Sequence, residues 1–363
     1  MKIAILGAGH GGVAMSSDLK LQGYDVNLYA VENHSLNLKL IEAAGSIHVE
    51  GVTTNHKCPI DVKADFIVHN VRDAIKDAQI IFVNVPAFAQ EVYNEDIMRY
   101  GEKGQIVVYP CGGFSAINFY NELKEFGRAE DFIVCETASF IYTTKITGPA
   151  KVLIKSIKEK VQFAAFPEER TDEALSVLNT LYPQFYKAQN AWQTSFNNPS
   201  SVLHTITTLM NMSRIEQMGS YKNSYYDITP GVARIIEAVD AERVEIAKHF
   251  FSNTMPMKNI MQSLYNIEGN DFYETIMNIK PYKTQRAPEN MQHRYVSEDI
   301  PYSLVPIATL GASLNIPTPN MDSIINIACM CNAEDYWTTG RNAQKLGFNS
   351  ENIHLVENNV AKI

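Results

Sequence analysis

The chain has 363 residues, more than one hydrophobic core usually fills, so we predict two domains. Hydrophobic residues make up 45% and charged residues 20% of the chain, which is the balance of an ordinary globular protein. The formal net charge of -9 and the lack of a dense Lys/Arg patch argue against nucleic acid as a partner.

The N-terminal sequence and the cysteine pattern indicate in which cellular compartment the protein is expected. Met1 leads directly into an apolar strand pattern, without the basic segment and cleavage site of a signal peptide, and no apolar run is long enough to span a bilayer. We therefore expect a cytoplasmic protein with no membrane partner. The five cysteines are odd in number, scattered and without CxxC spacing, which argues against a disulfide framework or a metal site.

In the first half of the chain, short β-branched runs alternate with helical patterns, which is typical of a parallel sheet with crossover helices. The predicted strands are Lys2–Leu6, Asp25–Tyr29, 79–85, Gln105–Tyr109 and 132–135, and the predicted helices are 13–22 and Leu36–Ala44. This pattern predicts an α/β, doubly wound domain of the Rossmann type over residues 1–188.

A different pattern follows inside the same domain. The turn pair Gly148-Pro149 separates two apolar runs, 142–146 and Lys151–Ile157, and predicts antiparallel strands that close the sheet. A strand at Val161–Phe166, a helix at 171–181 and a short strand near Phe185 are predicted to complete the domain.

Beyond residue 188 the strand signals nearly vanish and long helical patterns take over. Predicted helices cover 199–217, 230–251, Met257–Tyr265, 302–314 and 321–331, with proline and glycine between them. We therefore predict an all-α domain over residues 189–363.

The segment Gly7-Ala8-Gly9-His10-Gly11-Gly12 fits G-x-G-x-x-G between a terminal strand and a helix. In that motif Gly7 permits the tight turn, Gly9 lets the backbone approach a pyrophosphate, and Gly12 lets the helix pack on the strand. The helix N-terminus then offers N–H groups and a partial positive charge to phosphates. We predict that Gly7, Ala8, Gly9, His10 and Gly12 bind a dinucleotide, although a structural turn would use the same glycines.

Two further features concern this cofactor. The second strand runs into Ala30, the nearest acid is Glu32, and no Arg or Lys follows at once to hold a 2′-phosphate. NAD is therefore favoured, and NADP is not excluded. Val85 and Pro86 stand at the carboxyl end of an apolar strand, where open parallel sheets bind ligands, so they are candidates for contact with the nicotinamide as well as a simple strand end.

Two segments of the second half carry candidate chemistry. Asn198 and Pro199 form a helix start, and His204 lies early in that helix, where it is either a packed residue or a proton shuttle. In the second segment, 293–301, Asp299 precedes Pro301 and is either a helix cap or a catalytic group, while Arg294 either holds a substrate carboxylate or pairs with a local acid.

Taken together, these segments resemble the opine dehydrogenase family, of the octopine and nopaline dehydrogenase type. The resemblance is carried by the glycine loop, V-P-A-F-A at 85–89, N-P-x-x-x-x-H at 198–204, H-R-Y-x-x-E-D-I-P at 293–301 and Thr339-Gly340-Arg341. It runs along nearly the whole chain, and the H-R-Y-x-x-E-D block is its most specific element. Thr205 is a departure, because the family often has proline after the histidine; this loosens the helix-start match and leaves the histidine in place.

The resemblance implies a Rossmann domain, a helical domain and an active site in the cleft between them. Such enzymes condense the amino group of an amino acid with a 2-oxo acid, commonly pyruvate, and reduce the imine with a reduced nicotinamide to a secondary amine dicarboxylate. Carried over by motif, His204 is the expected acid/base, Asp299 its orienting partner and Arg294 a substrate anchor, with Asn198 a further substrate-binding residue. The amino acid is not identified, and a homodimer is one hypothesis for the assembly.

Two other functions stay open. Two-domain dehydrogenases that act on glycerol 3-phosphate or 2-dehydropantoate share the plan, but they typically use a lysine in the helical domain, and a phosphorylated substrate would need several basic groups. A protein that senses NADH without turnover would behave the same after His204→Ala. The segments around His204 and Asp299 favour the opine dehydrogenase interpretation.

Overall fold

The chain folds into two units of different architecture, Met1–Thr194 and Ser195–Ile363. The structure is a computed structural model, and it describes residues 1–219, 221, 227–284 and 286–348. Strands of the first unit are β1 (Lys2–Leu6), β2 (Asp25–Tyr29), β3 (Ser46–Gly51), β4 (Ile60–Lys63), β5 (Ile80–Val83), β6 (Gln105–Tyr109), β7 (Phe132–Thr137), β8 (Tyr142–Gly148), β9 (Lys151–Ile157), β10 (Val161–Phe166) and β11 (Phe185–Lys187). Helices of the first unit are α1 (His10–Leu21), α2 (Leu36–Ala44), α3 (Val71–Ile75), α4 (Gln90–Tyr100), α5 (Ser115–Phe126) and α6 (Thr171–Leu178), and α7 (Ala191–Phe196) crosses the division between the units.

Seven strands form the main sheet in the order β11-β10-β7-β6-β5-β1-β2. Five adjacent strands run parallel to one another: β7, β6, β5, β1 and β2. β10 runs antiparallel to β7. Ile3 and Ile5 of β1 pack into the core on one face of the sheet, and Ala4 and Leu6 pack into the core on the other. Burial on both faces explains the continuous apolar runs of these strands, and the predicted Rossmann-type α/β fold is confirmed.

A second sheet of four strands has the order β4-β3-β9-β8. β8 and β9 are antiparallel, as predicted from the turn between them, but they lie in this second sheet, so the prediction that they close the main sheet was wrong. β3 and β4 were not predicted. The parallel partner of β3 is β9, with His48 opposite Lys151, and a pairing so remote in sequence leaves no local pattern.

A buried carboxylate joins this second sheet to α1. Asp18 is fully buried, and its side chain accepts hydrogen bonds from the Thr54 backbone N–H at 2.8 Å, the Thr54 hydroxyl at 2.6 Å and the Tyr142 hydroxyl at 2.8 Å. Such bonds compensate the cost of removing a charge from water, so Asp18 holds α1, the helix that follows the glycine loop, against its neighbours.

The described part of the second unit is helical. Its helices are α8 (Ser200–Met210), α9 (Met212–Met218), α10 (Pro230–Ala247), α11 (Met257–Tyr265), α12 (Phe272–Asn278), α13 (Arg294–Ser297), α14 (Val305–Ser313), α15 (Pro319–Asn332) and α16 (Tyr336–Thr339), and one π-helical turn (Ile300–Leu304) precedes α14. The helix predicted over 199–217 is divided at Asn211, between α8 and α9. None of the described helices combines the length and apolar character that a bilayer crossing requires.

A buried ion pair lies at the centre of the helical unit. Arg243 of α10 is fully buried and donates to Asp240 at 2.6 Å, to the Phe196 carbonyl at 3.1 Å and to the Met255 carbonyl at 2.7 Å. The second oxygen of Asp240 accepts from the Met257 N–H at 2.6 Å. The pair therefore joins α10 to the chain before α8 and to the start of α11.

We expect Arg243→Met to lower the free energy of unfolding by about 3–5 kcal/mol, because it leaves the Asp240 carboxylate buried without its cation. Lys248→Met is the matched control, because Lys248 also forms an ion pair, with Glu245. Both of these side chains are more than half exposed, so the expected loss of unfolding free energy is below about 1 kcal/mol. Denaturant unfolding of both variants measures the difference. Equal losses would contradict the role given to the buried pair.

Candidate active site

The glycine loop joins β1 to α1 and can only be built with glycine at two of its positions. Gly7 has φ +111° and donates its N–H to the Tyr29 carbonyl at 2.7 Å. A Cβ on Gly12 would lie 1.8 Å from the Gly7 carbonyl oxygen, so α1 can start this close to β1 only without a side chain there. This is the geometry that the dinucleotide motif requires.

The same loop leaves room for a ligand. A Cβ on Gly9 would meet no described atom within 4 Å, and α1 begins immediately afterwards at His10. The first N–H groups of a helix lack helical partners and carry the positive end of the helix dipole, which favours an anion at this end of α1. Ala8 is buried and its carbonyl accepts from the Asn37 side chain at 2.7 Å, while His10 Nδ1 accepts from the Ile146 N–H at 3.1 Å. These residues fit a dinucleotide pyrophosphate.

The end of β5 contacts the loop. Val85 Cγ1 would lie 2.5 Å from a Cβ on Gly7, which places Val85 directly against the turn, and the half-buried Pro86 follows it. Asn84 Oδ1 and the Phe140 ring would lie 2.8 and 2.9 Å from a Cβ on Gly11. Sequence reasoning missed both: Asn84 could have been found from its place beside Val85, but no local signal brings Phe140 to the loop.

In the helical unit, His204 of α8 and Asp299 lie together. His204 Nδ1 and Asp299 Oδ2 are 2.8 Å apart, although the residues are 95 positions apart in the chain. The side chains are 18% and 6% exposed. Because the carboxylate can only accept, Nδ1 carries the proton and Nε2 is left as the basic nitrogen of the ring. An imidazole so oriented has the geometry of a general acid/base group.

Two more side chains of the same segment complete the surroundings of this imidazole. The Tyr295 ring stacks on His204, with centroids 3.8 Å apart and planes at 20°. His293 packs edge-on against Tyr295, and burial, followed by the positive charges of Arg294 and His204, lowers the pKa of His293 to about 4. His293 is therefore neutral at pH 7, so it adds no second positive charge beside His204. Neither Tyr295 nor His293 was singled out from the sequence, although both stand in the H-R-Y-x-x-E-D block.

The backbone around Asp299 is fixed by the segment Thr339-Gly340-Arg341. The Arg341 N–H donates to the Pro301 carbonyl at 2.8 Å, and a Cβ on Gly340 would lie 2.7 Å from the same oxygen. The Arg341 guanidinium lies over the Tyr302 ring, 5.3 Å from its centroid. This segment therefore supports the π-helical turn that begins directly after Asp299. These contacts explain the structural role of the motif Thr339-Gly340-Arg341.

The two predicted substrate-binding residues have local partners. Arg294 Nε pairs with Glu298 at 3.0 Å, and the Arg294 side chain is 51% exposed. The Asn198 side chain is buried and accepts at 3.0 Å from the N–H of Ser200, the first residue of α8; Pro199 occupies the N-cap position. Both residues lie at the ends of the segments that hold His204 and Asp299.

A pocket lies next to the stacked rings of His204 and Tyr295. Its lining includes His204, Thr207, Thr208, Asn211, Tyr221 and Tyr295. The hydroxyl of Thr207 is buried and has no hydrogen-bond partner among the described residues. Burial, followed by the neighbouring Asp227, raises the pKa of Tyr221 to about 12, so this phenol keeps its proton at neutral pH. Apart from His204, the described lining carries no ammonium, guanidinium or carboxylate group.

Within the described ranges, no group of three or more His, Cys, Asp or Glu side chains is placed to hold a metal ion. In the helical unit the structure places one histidine and one carboxylate, His204 and Asp299, within hydrogen-bond distance. Together with a dinucleotide loop in the first unit, this defines the class of two-unit, nicotinamide-dependent dehydrogenases.

Comparison with known proteins places the chain within that class. Residues 187–332 match the family described as NAD/NADP octopine/nopaline dehydrogenase, alpha-helical domain, and residues 2–149 match NAD-dependent glycerol-3-phosphate dehydrogenase N-terminus. An opine dehydrogenase of Arthrobacter sp. (strain 1C) is 30% identical over 348 residues, covering 95% of this chain and 94% of that one. The chain belongs to the opine dehydrogenase family, and it is an NAD(P)-dependent oxidoreductase.

Solved structures show the same fold. An octopine dehydrogenase with NADH and L-arginine matches with a TM-score of 0.80 at 19% identity, covering 99% of this chain and 98% of that one. A yersinopine dehydrogenase with NADP+ bound matches with a TM-score of 0.73 at 14% identity, covering 100% and 99%. At these identities the likeness concerns the fold.

Proposed function

We propose that the protein joins the amino group of an amino acid to the carbonyl carbon of a 2-oxo acid, with pyruvate the first candidate, and reduces the resulting imine to an N-(carboxyalkyl) amino acid. The observation that carries this proposal is the hydrogen bond between His204 and Asp299, within a family whose members are named for opine formation. Residues 1–188 would bind the dinucleotide and residues 189–363 the substrates.

Proton transfer is the task of His204. Asp299 holds the Nδ1–H, which keeps Nε2 available and stabilises the imidazolium when it forms. Nε2 first accepts a proton from the substrate ammonium, so that the free amine can attack the carbonyl carbon. It then returns this proton to the carbinolamine oxygen, so that water leaves and the imine forms. When bound, the reduced nicotinamide supplies the hydride that reduces the imine carbon.

The stacked Tyr295 keeps the imidazole in one plane during these steps. The ring centroids are 3.8 Å apart, which leaves no room for rotation of the imidazole about its Cβ–Cγ bond. Arg294 is assigned to a substrate carboxylate, because a guanidinium can bind one with two parallel hydrogen bonds, and its pairing with Glu298 fixes the direction of the fork. Asn198 supports the backbone from which His204 projects.

The cofactor and the setting of the reaction follow from the same proposal. NADH is the preferred donor, because Glu32, near the end of β2, is an acid able to bond a ribose hydroxyl, and NADPH is the alternative. The substrates are small molecules, and the reaction takes place in the cytoplasm. A homodimer stays a prediction.

The test supplies purified protein with reduced cofactor and pyruvate and adds amino acids singly, with NADH and NADPH in parallel. Neutral side chains come first, because the described lining of the pocket beside His204 carries no charge of its own that would pair with a charged side chain. The expected result is cofactor oxidation that requires both the amino acid and the 2-oxo acid. No amine-dependent oxidation across a broad panel of amino acids and 2-oxo acids would refute the proposal.

A further inference from the structure

A lysine of the first unit, Lys158, contacts a residue that follows the end of a parallel strand of the main sheet. Lys158 follows β9, and its side chain is largely removed from solvent. Its Nζ donates to the hydroxyl of Ser139, and its N–H donates to the Ile141 carbonyl at 2.9 Å. Among the described residues, no carboxylate forms an ion pair with Lys158.

The electrostatics agree with an unbalanced charge. Burial lowers the pKa of Lys158, and among the residues that the structure describes only the thiol of Cys111, when ionised, opposes this effect. Removing an ammonium even partly from water is costly unless an anion compensates it. A counter-anion supplied by a ligand would meet this need.

The position of this lysine connects it to the dinucleotide loop. Ser139 follows β7 and Cys111 follows β6, so both lie where parallel strands end, the edge at which such sheets bind ligands. Phe140, next to Ser139, contacts the loop at Gly11. Lys158 therefore contacts Ser139, and the next residue in the chain, Phe140, contacts the glycine loop.

We propose that Lys158 and Ser139 form a binding site for a carboxylate group of the substrate on the dinucleotide-binding unit. The inference rests on the proposed function, in which both the amino acid and the 2-oxo acid carry a carboxylate. The anion would accept hydrogen bonds from the ammonium of Lys158 and the hydroxyl of Ser139. Such a site binds a carboxylate through one charged and one neutral hydrogen-bond donor.

The kinetic test compares Lys158→Gln with a control, Lys155→Gln; Lys155 lies in β9, three residues earlier, and is exposed. KM is measured separately for the amino acid and for the 2-oxo acid, and the NADH dissociation constant by fluorescence. Lys158→Gln is expected to raise one of the two KM values by about 10- to 100-fold, the loss expected for a charge-assisted hydrogen bond. The substrate affected identifies the carboxylate, and Lys158→Arg should recover part of the affinity.

Two results would overturn the inference. One is that both KM values of Lys158→Gln equal those of Lys155→Gln. The other is that only the NADH dissociation constant rises, which would assign the lysine to the cofactor. Ser139→Ala provides a second variant in case Lys158→Gln does not fold; it keeps the lysine and should raise the KM of the same substrate by a smaller factor.

A binding measurement separates this inference from the proposed function. Oxamate, an unreactive analogue of a 2-oxo acid, and an unreactive amino-acid carboxylate, N-acetylalanine, are titrated calorimetrically into the NADH-loaded protein. If the wild type turns over no amine, the proposed function fails, yet loss of binding of either probe in Lys158→Gln would still support the carboxylate site. Equal binding of both probes by wild type and variant, or by neither, would refute the site.

Discussion

His204→Ala is expected to lower kcat by about 10²- to 10⁴-fold, the usual contribution of a positioned acid/base group. The NADH dissociation constant should stay unchanged, because the dinucleotide loop belongs to the other unit of the chain. His56→Ala is the matched control, since His56 is exposed and lies in neither segment of the candidate site. Steady-state kinetics with fluorescence titration of NADH measure both quantities.

A companion variant tests the pairing with Asp299. Asp299→Asn keeps the size of the side chain but offers no full negative charge to the Nδ1–H, so kcat should fall as well, by a smaller factor than in His204→Ala. Because the two residues act as a unit, the double variant should be no slower than His204→Ala alone. Independent, multiplying effects of the two changes would contradict the proposed mechanism, as would full activity of His204→Ala.

The second large effect is expected at the glycine loop. A Cβ on Gly9 meets no described atom within 4 Å, so Gly9→Ala should fold normally. The added methyl group would nevertheless occupy space needed for close approach of a pyrophosphate to the backbone. We expect NADH affinity to fall by about 100-fold, roughly the loss of one or two charge-assisted hydrogen bonds.

Two other glycines provide the comparison for this prediction. At Gly148 of β8 the nearest atom to an added Cβ lies 3.8 Å away, so Gly148→Ala should leave NADH binding intact. At Gly12 the Cβ would lie 1.8 Å from the Gly7 carbonyl, so Gly12→Ala should lower both stability and NADH affinity. Fluorescence titration and thermal unfolding of the three variants separate these outcomes, and NADH binding by Gly9→Ala equal to that of Gly148→Ala would contradict the assignment of the loop.

Local patterns predicted those parts of the fold that local chemistry determines. β1, β2 and β6 have the predicted limits because buried parallel strands are short apolar runs between polar turns. The second sheet was missed because β3 and β9 are far apart in sequence. The division of the helix at Asn211 was missed as well. The Asn211 side chain donates to the Thr207 carbonyl at 2.9 Å, and such side-chain bonds compete with helical hydrogen bonds. Hydrophobic periodicity does not reveal them.

Sequence motifs predicted the residues of the candidate site that have a recognisable residue type and spacing. His204 and Asp299 were selected from two separate segments, and the structure brings their side chains within hydrogen-bond distance, while their catalytic role stays a prediction. Tyr295 was missed because stacking on His204 depends on the packing of α8 against α13, which no spacing rule gives. Lys158 was missed because lysine side chains are mostly exposed to solvent, so a lysine at the end of a strand is usually interpreted as a surface residue.

Deuterium-labelled reduced cofactor shows directly whether the hydride reduces an imine formed from the amino acid and pyruvate. The protein is incubated with an amino acid, pyruvate and NADH that carries deuterium at the transferred position, and the products are analysed by mass spectrometry. We expect a secondary amine that contains both carbon skeletons, with the deuterium on the carbon that was the carbonyl carbon of pyruvate. Deuterated lactate with the amino acid left unchanged would contradict it.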